Sequence, residues 1–271
     1  MPELPEVETT RLGLIDHLQY QTISDVIIRQ AKLRWLIPKK LPKLLKQQTI
    51  LELKRRGKYL LLTTEKGTVI IHLGMSGHLK IVSRNEPAKK HDHVDIVLKN
   101  NHCLRFTDPR RFGCILWTNH NPLEHKLLIK LGVEPLTPLF NGKFLYQQSR
   151  KHKITVKSFI MNHRIVVGVG NIYANEALFA ARINPRKKVH KITLEQYVLL
   201  ANCIKKILKQ AIHKGGTTLK DFLKVDGKPG YFSNQLKTYD RAKEPCLNCH
   251  TPIRSIRQQQ RSTYYCPTCQ T

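Results

Sequence analysis

The sequence predicts an α+β protein: a β-sandwich or barrel entered through one N-terminal helix, then a helical domain, then a C-terminal four-cysteine finger. Three observations carry that reading. Short β-rich runs separated by Gly, Asn, Asp and Pro fill the region from Thr22 to Trp117. After Pro135 the apolar residues recur at helical spacing. Four of the seven cysteines crowd into the segment that starts at Cys246.

Residues 4 to 18 form the first helix, with Val7, Leu14 and Leu18 on one face and carboxylates in the opening turn, where the helix dipole favours them. The period then shortens. TISDVII from Thr22, TILEL from Thr49, KYLLL from Lys58, TVIIHL from Thr68, HLKIV from His78, VDIVL from Val94, CLRFT from Cys103 and CILW from Cys114 each fit a short strand. So many short strands point to a sandwich or barrel and away from βαβ units, over residues 2–132. Within it, KKLPKLLKQQ from Lys39 reads as a basic, solvated face. Helices are expected near 142–152, 155–162, 172–182 and 193–213, the last capped by Thr193, in a domain spanning 133–237. The finger takes 238–271.

Lysine and arginine outnumber aspartate and glutamate by 47 to 19, a formal net charge of +28 at pH 7. Such an excess exceeds what solubility needs and points to a polyanionic partner. Charge reports phosphate affinity and not chemistry, so a ribosomal or other RNA-binding protein would look the same. No apolar run approaches the roughly 20 residues of a membrane span, and MPELPEVE lacks the basic and apolar regions of a secretion signal. A soluble protein of a reducing, intracellular compartment is expected, in which clustered thiols favour metal over disulfides. Cys103, Cys114 and Cys203 lie in apolar stretches and read as small core residues.

Cys246-x2-Cys249, sixteen intervening residues and Cys266-x2-Cys269 fit a four-thiolate tetrahedral zinc site. Four protein ligands leave no open coordination position, so the Zn2+ ion is structural. Between the pairs, IRSIRQQQRSTYY puts Arg254, Arg257 and Arg261 on a hairpin able to reach phosphates or a base. VGVGNIYANE, residues 167 to 176, describes a glycine turn and helix start that can receive an anion; a helix connection capped by Asn171 would read identically. In RFTDPRRFG, residues 105 to 113, Pro109 and Gly113 bracket Arg110, Arg111 and Phe112. A rigid loop presenting arginines beside an aromatic is suited to entering a base stack, although Phe112 fits a core position equally well. HLGMSG, residues 72 to 77, offers a similar tip with Met75 as a flexible apolar wedge or as packing. At the start, removal of Met1 would expose the secondary amine of Pro2, which can form an iminium with an aldehyde-level carbon. Its reference pKa of about 8 leaves a useful unprotonated fraction near neutrality. Glu3 lies beside it and Glu6 one turn further on, where both also favour the helix start.

Taken together and in this order along the whole chain, PELPEVE, RRGKYLL, HLGMSG, KHDHVD, TDPRRFG, VVGVGNIYANE, GGTTLKDF, DGKPGYF and the finger closely resemble the formamidopyrimidine-DNA glycosylase family of bacterial 8-oxoguanine repair enzymes. The resemblance implies an N-terminal β-sandwich, a helix-two-turn-helix domain and a zinc finger, with DNA held in the cleft between domains. It implies base excision repair of oxidised purines by a bifunctional glycosylase and abasic-site lyase, a monomer acting on double-stranded DNA, cytoplasmic and associated with the nucleoid, with no membrane partner. By the same resemblance Pro2 is the Schiff-base nucleophile, Glu3 the proton donor in base release and Lys58 the proton donor for β-elimination. Arg261 is the finger arginine of phosphate binding and δ-elimination. Met75, Arg110 and Phe112 fill the gap left by the flipped nucleotide, with Arg111 beside them, and His72, His91 and Asn171 contact the DNA backbone. The segments around Thr217 and Tyr231 close over the extruded base. The chain departs from the pattern at His152, which stands between Lys151 and Lys153 where a DNA-contacting lysine is expected, and at His163 and Arg164 before the glycine turn. Two other readings compete: an endonuclease VIII type glycosylase for oxidised pyrimidines, and a non-catalytic zinc-ribbon protein that binds nucleic acid through charge.

Overall fold

A computed structural model of the chain describes residues 2–217 and 232–271. Two compact units form, one from Met1–Ile129 with the described part of Lys214–Tyr231, the other from Lys130–His213 with Phe232–Thr271.

The first unit opens with α1 (Leu4–Leu18), whose N-cap Glu3 forms a capping box with Glu6; the Glu3 backbone N–H donates to Glu6 Oε2 at 2.7 Å. Pro5 sits in the first turn, where no intrahelical N–H is missed. Eight strands follow: β1 (Ile23–Ile28), β2 (Ile50–Arg56), β3 (Tyr59–Thr64), β4 (Gly67–His72), β5 (His78–Ser83), β6 (Asp92–Leu98), β7 (His102–Thr107) and β8 (Cys114–Thr118). They make two antiparallel four-stranded sheets, β1-β6-β7-β5 and β2-β3-β4-β8. Ile23, Ile96, Leu104 and Phe106 from one sheet and Leu60, Leu62, Val69 and Ile71 from the other share one core with Leu14 and Leu18 of α1. Alternation along each strand turns these residues inward, so of the sandwich and barrel that the strand pattern allows the structure is a sandwich.

The basic run from Lys39 is not simply a solvated face. It contains α2 (Leu41–Leu45), and Leu41 and Leu45 are fully buried in the sandwich core while Lys43 between them stays exposed. A buried ion group also holds this unit. The Arg105 guanidinium, itself buried, donates from Nε to Asp95 Oδ1 at 2.8 Å and from Nη2 to Asp95 Oδ2 at 2.9 Å, and Arg29 reaches the same carboxylate at 2.7 Å. Burial pushes the Asp95 carboxyl up, but the hydrogen bonds from Arg105 and Arg29 outweigh it and hold it below the ordinary value.

The second unit carries α3 (Gly142–Ser149), α4 (Val156–Ile160), α5 (Asn171–Ala180) and α6 (Leu194–His213). Asn141 caps α3, accepting from Phe144 N–H at 2.9 Å, and Thr193 caps α6, accepting from Gln196 N–H at 3.3 Å. The finger hairpin, β9 (Arg254–Gln258) and β10 (Arg261–Tyr265), belongs to this unit; Cys246, Ile253 and Cys266 pack on Phe179 of α5.

Candidate active site

In the first unit Pro2 and Glu3 are buried at the head of α1. Glu6 bridges onward: its Oε1 accepts from Thr217 N–H at 2.8 Å, and Gly216, at φ +82°, approaches so closely that a Cβ there would lie 3.1 Å from the same oxygen. Thr217 is therefore tied to the start of α1. The rest of GGTTLKDF and DGKPGYF up to Tyr231 lies outside the described residues.

Lys58 occupies the two-residue turn between β2 and β3, which Gly57 closes at φ +59° with Arg56 paired to Tyr59. At the end of β4, the His72 ring lies 4.7 Å from that of Tyr59. Burial, then the charges of Lys58 and Arg34, push the His72 pKa down to about 4, so the ring is neutral near pH 7. The Gly74 N–H donates to His72 Nδ1 at 2.9 Å. The neutral ring then carries its proton on Nε2, which is left to act as a donor.

Beyond β4 and β7 two loops carry the proposed wedge. Met75 is 36% and Phe112 45% exposed, so neither side chain is packed in the core. The Arg110 guanidinium stands 5.0 Å over the Phe112 ring. Met75, Arg111 and Phe112 line a cavity of about 550 Å³ together with His72, Gly74, Leu33 and Arg34. Arg34 has no motif that would single it out in sequence; it arrives because its N–H donates to Gly113 O at 3.1 Å. His91 joins the same loops through its carbonyl, which accepts from Asp108 N–H at 3.0 Å.

In the second unit Gly170, not Asn171, is the N-cap of α5, and Asn171 is the first helical residue. Its Nδ2 donates to Ser262 O at 3.0 Å. The same carbonyl takes a second donor that sequence reasoning missed: Lys157, buried on α4, donates from Nζ to Ser262 O at 2.9 Å and to Thr263 Oγ1 at 2.7 Å. A lysine among lysines reads as solvated; the signal was its place beside Val156, Phe159 and Ile160, all buried. Both side chains thus fix the backbone next to Arg261, which is exposed, as are Arg254 and Arg257. His152 is half-buried with its ring 5.7 Å from that of Phe159, while Lys151, Lys153, His163 and Arg164 are exposed.

The four thiol sulfurs of Cys246, Cys249, Cys266 and Cys269 lie within 4.8 Å of one another. Two of the separations are 4.0 Å, Cys246 to Cys269, and 3.4 Å, Cys249 to Cys266. Zinc–sulfur bonds of about 2.3 Å place tetrahedral sulfurs about 3.8 Å apart, so the cluster fits one zinc ion.

Family models match the chain in three places: residues 1–115 as the formamidopyrimidine-DNA glycosylase N-terminal domain, 131–222 as its H2TH domain, and 243–271 as the zinc finger found in FPG and IleRS. The chain belongs to the formamidopyrimidine-DNA glycosylase family. A formamidopyrimidine-DNA glycosylase of Nitrosococcus oceani is 57% identical over 270 residues, covering 100% of both chains. The structure of a Lactococcus lactis FPG mutant complexed with DNA containing Fapy-dG is similar with a TM-score of 0.93 at 31% identity, over 100% of both chains. The MutM (FPG) protein of Thermus thermophilus is similar with a TM-score of 0.89 at 34% identity, over 99% of this chain and 98% of that one. The family's architecture of β-sandwich, H2TH domain and zinc finger is the one expected from the sequence, and the four cysteines are its structural zinc site. Among the described residues no helix is long and apolar enough to cross a membrane.

Proposed function

We propose that the chain is a base excision repair enzyme for oxidised purines, both N-glycosylase and abasic-site lyase, working as a monomer on duplex DNA in the bacterial cytoplasm. Its functional parts are residues 2–132, 133–237 and 238–271. The observation that carries this reading is the exposed group of Met75, Arg110 and Phe112 at the mouth of a cavity edged by His72 and Arg34. An apolar wedge with a cation stacked on it can enter a base step while its neighbours hold phosphate. Extruding a nucleotide costs a few kcal/mol of stacking and pairing, and these contacts offset it.

With the nucleotide extruded, the Pro2 nitrogen bonds to C1′ of deoxyribose and the bond from C1′ to the base breaks. Glu3 donates a proton as the base leaves, and the C1′–O4′ bond then breaks as the sugar ring opens, O4′ taking up the proton that the Pro2 nitrogen sheds. The nitrogen is then an iminium, which acidifies the C2′ hydrogen. Loss of that proton to water breaks the C3′–O bond and expels the 3′-phosphate, to which Lys58 donates a proton, and a second elimination breaks the C5′–O bond and expels the 5′-phosphate. Arg261 binds phosphate in that step, with Arg111, His91, His152, Lys153 and Asn171 as further DNA contacts. His72, neutral and protonated on Nε2, donates to a phosphate oxygen without competing for a proton. The zinc ion takes no part in these steps; it holds the finger arginines in place.

Borohydride added to the protein with duplex DNA containing 8-oxoguanine opposite cytosine is expected to trap a covalent complex, and the base is expected to be excised faster than thymine glycol. Absence of a trapped complex contradicts the proposal, and faster excision of thymine glycol assigns the site to oxidised pyrimidines.

A further inference from the structure

The two wedge loops come from different strands, yet they are fastened into one body, and the fastener is a pair of buried residues that touch no DNA in the reading above. Asp108 is fully buried and Ser76 nearly so. The Ser76 hydroxyl donates to Asp108 Oδ1 at 2.8 Å, across 32 residues of sequence. The other carboxylate oxygen accepts from Gly113 N–H at 2.8 Å. The Ser76 oxygen itself accepts from Arg110 N–H at 3.3 Å, so one hydroxyl serves as donor to one residue and acceptor for another. The Asp108 carbonyl accepts from Arg111 N–H at 3.2 Å and from His93 Nε2 at 2.8 Å. At the same junction the backbones meet: Gly74 adopts φ +67°, and a Cβ there would fall 2.4 Å from Gly113 N and from Phe112 C. Only glycine permits both that conformation and that approach.

We propose that Asp108 and Ser76 are positioning residues that preassemble the wedge, setting Met75 on one loop in fixed register with Arg110 and Phe112 on the other before DNA arrives. This rests on the wedge reading given under the proposed function. Groups already ordered lose less conformational freedom on insertion, so the fastener acts on the extrusion step and not on the chemistry at C1′. The carboxylate is suited to the task because its two oxygens reach both loops at once, and burial strengthens each of its hydrogen bonds.

The test uses the full-length, zinc-loaded protein with Ser76→Ala and Asp108→Asn, and Phe112→Ala as a reference for the wedge itself. Three readouts are compared: single-turnover excision from an 8-oxoguanine duplex, fluorescence of 2-aminopurine placed next to the lesion as a report of unstacking, and borohydride trapping on a single-stranded abasic oligonucleotide, which needs no wedge. Both fastener variants are expected to slow unstacking and duplex excision by about tenfold or more. Trapping on the single strand should stay within about twofold of the unsubstituted protein. Ser76→Ala that unstacks and excises at the unsubstituted rate overturns the proposal, as does a loss of single-strand trapping equal to the loss on duplex. If instead Phe112→Ala unstacks the duplex normally, the underlying wedge reading fails, a result distinct from failure of the fastener.

Discussion

The sandwich of the first unit and the finger of the second both hold arginines out on short turns, and they do so by opposite physical means. Arg110 and Arg111 stand on a loop anchored to a large apolar core and a buried carboxylate. Arg261 stands on a two-stranded hairpin whose small cluster is Cys246, Ile253, Cys266 and Phe179 of α5, with Cys249, Tyr264 and Cys269 packed against it. A hairpin that small cannot stabilise itself by burial, because too little of its surface leaves water. Four thiolates on one ion replace the missing core. One polypeptide can thus hold exposed arginines in place either by packing or by metal, and the two respond to different insults.

The sharpest way to separate them is zinc removal, which carries the largest expected effect. Structural zinc contributes about 10–16 kcal/mol in isolated finger peptides at neutral pH, far more than burial can replace here. Chelation, or Cys246→Ser, is therefore expected to unfold the hairpin and abolish strand cleavage. Calorimetry should still show a cooperative transition for the sandwich. A sandwich that melts away together with the finger would break the comparison.

How far the sequence foretold each region follows the same division. The finger was legible because ligand spacing is local: two CxxC pairs say nearly everything. The strands of the sandwich were legible from alternation, and the helices from period and caps such as Thr193. What stayed hidden depended on partners distant in sequence. The Ser76 to Asp108 hydrogen bond, the neighbouring strands β1 and β6, and Lys157 reaching Ser262 each join residues that no window of sequence shows together. The charge of the Lys39 run conceals Leu41 and Leu45, two buried apolar residues one turn apart. At the site, the wedge loops and the start at Pro2 were recognisable as motifs, whereas the exposure of Phe112 was undecidable until its neighbours had positions.

A smaller effect is expected in the sandwich. His72 has a folded pKa of about 4, set first by burial and then by Lys58 and Arg34. In an unfolded chain its pKa is about 6.5. Below that value the unfolded state takes up a proton that the folded state refuses, so stability present above about pH 6.5 declines progressively as pH falls toward about 4. Urea denaturation of the zinc-loaded protein at several pH values should show this decline in the sandwich transition, and His72→Gln should flatten it. An unchanged slope in His72→Gln would assign the decline to other groups.

The central claim is that the nitrogen of Pro2 bonds to deoxyribose, and the most direct measurement is peptide mapping by mass spectrometry of the borohydride-trapped complex. The DNA-derived mass is expected on an N-terminal peptide beginning at Pro2, with Met1 absent. An adduct on Lys58 or any other residue, or on a chain that still carries Met1, would contradict it.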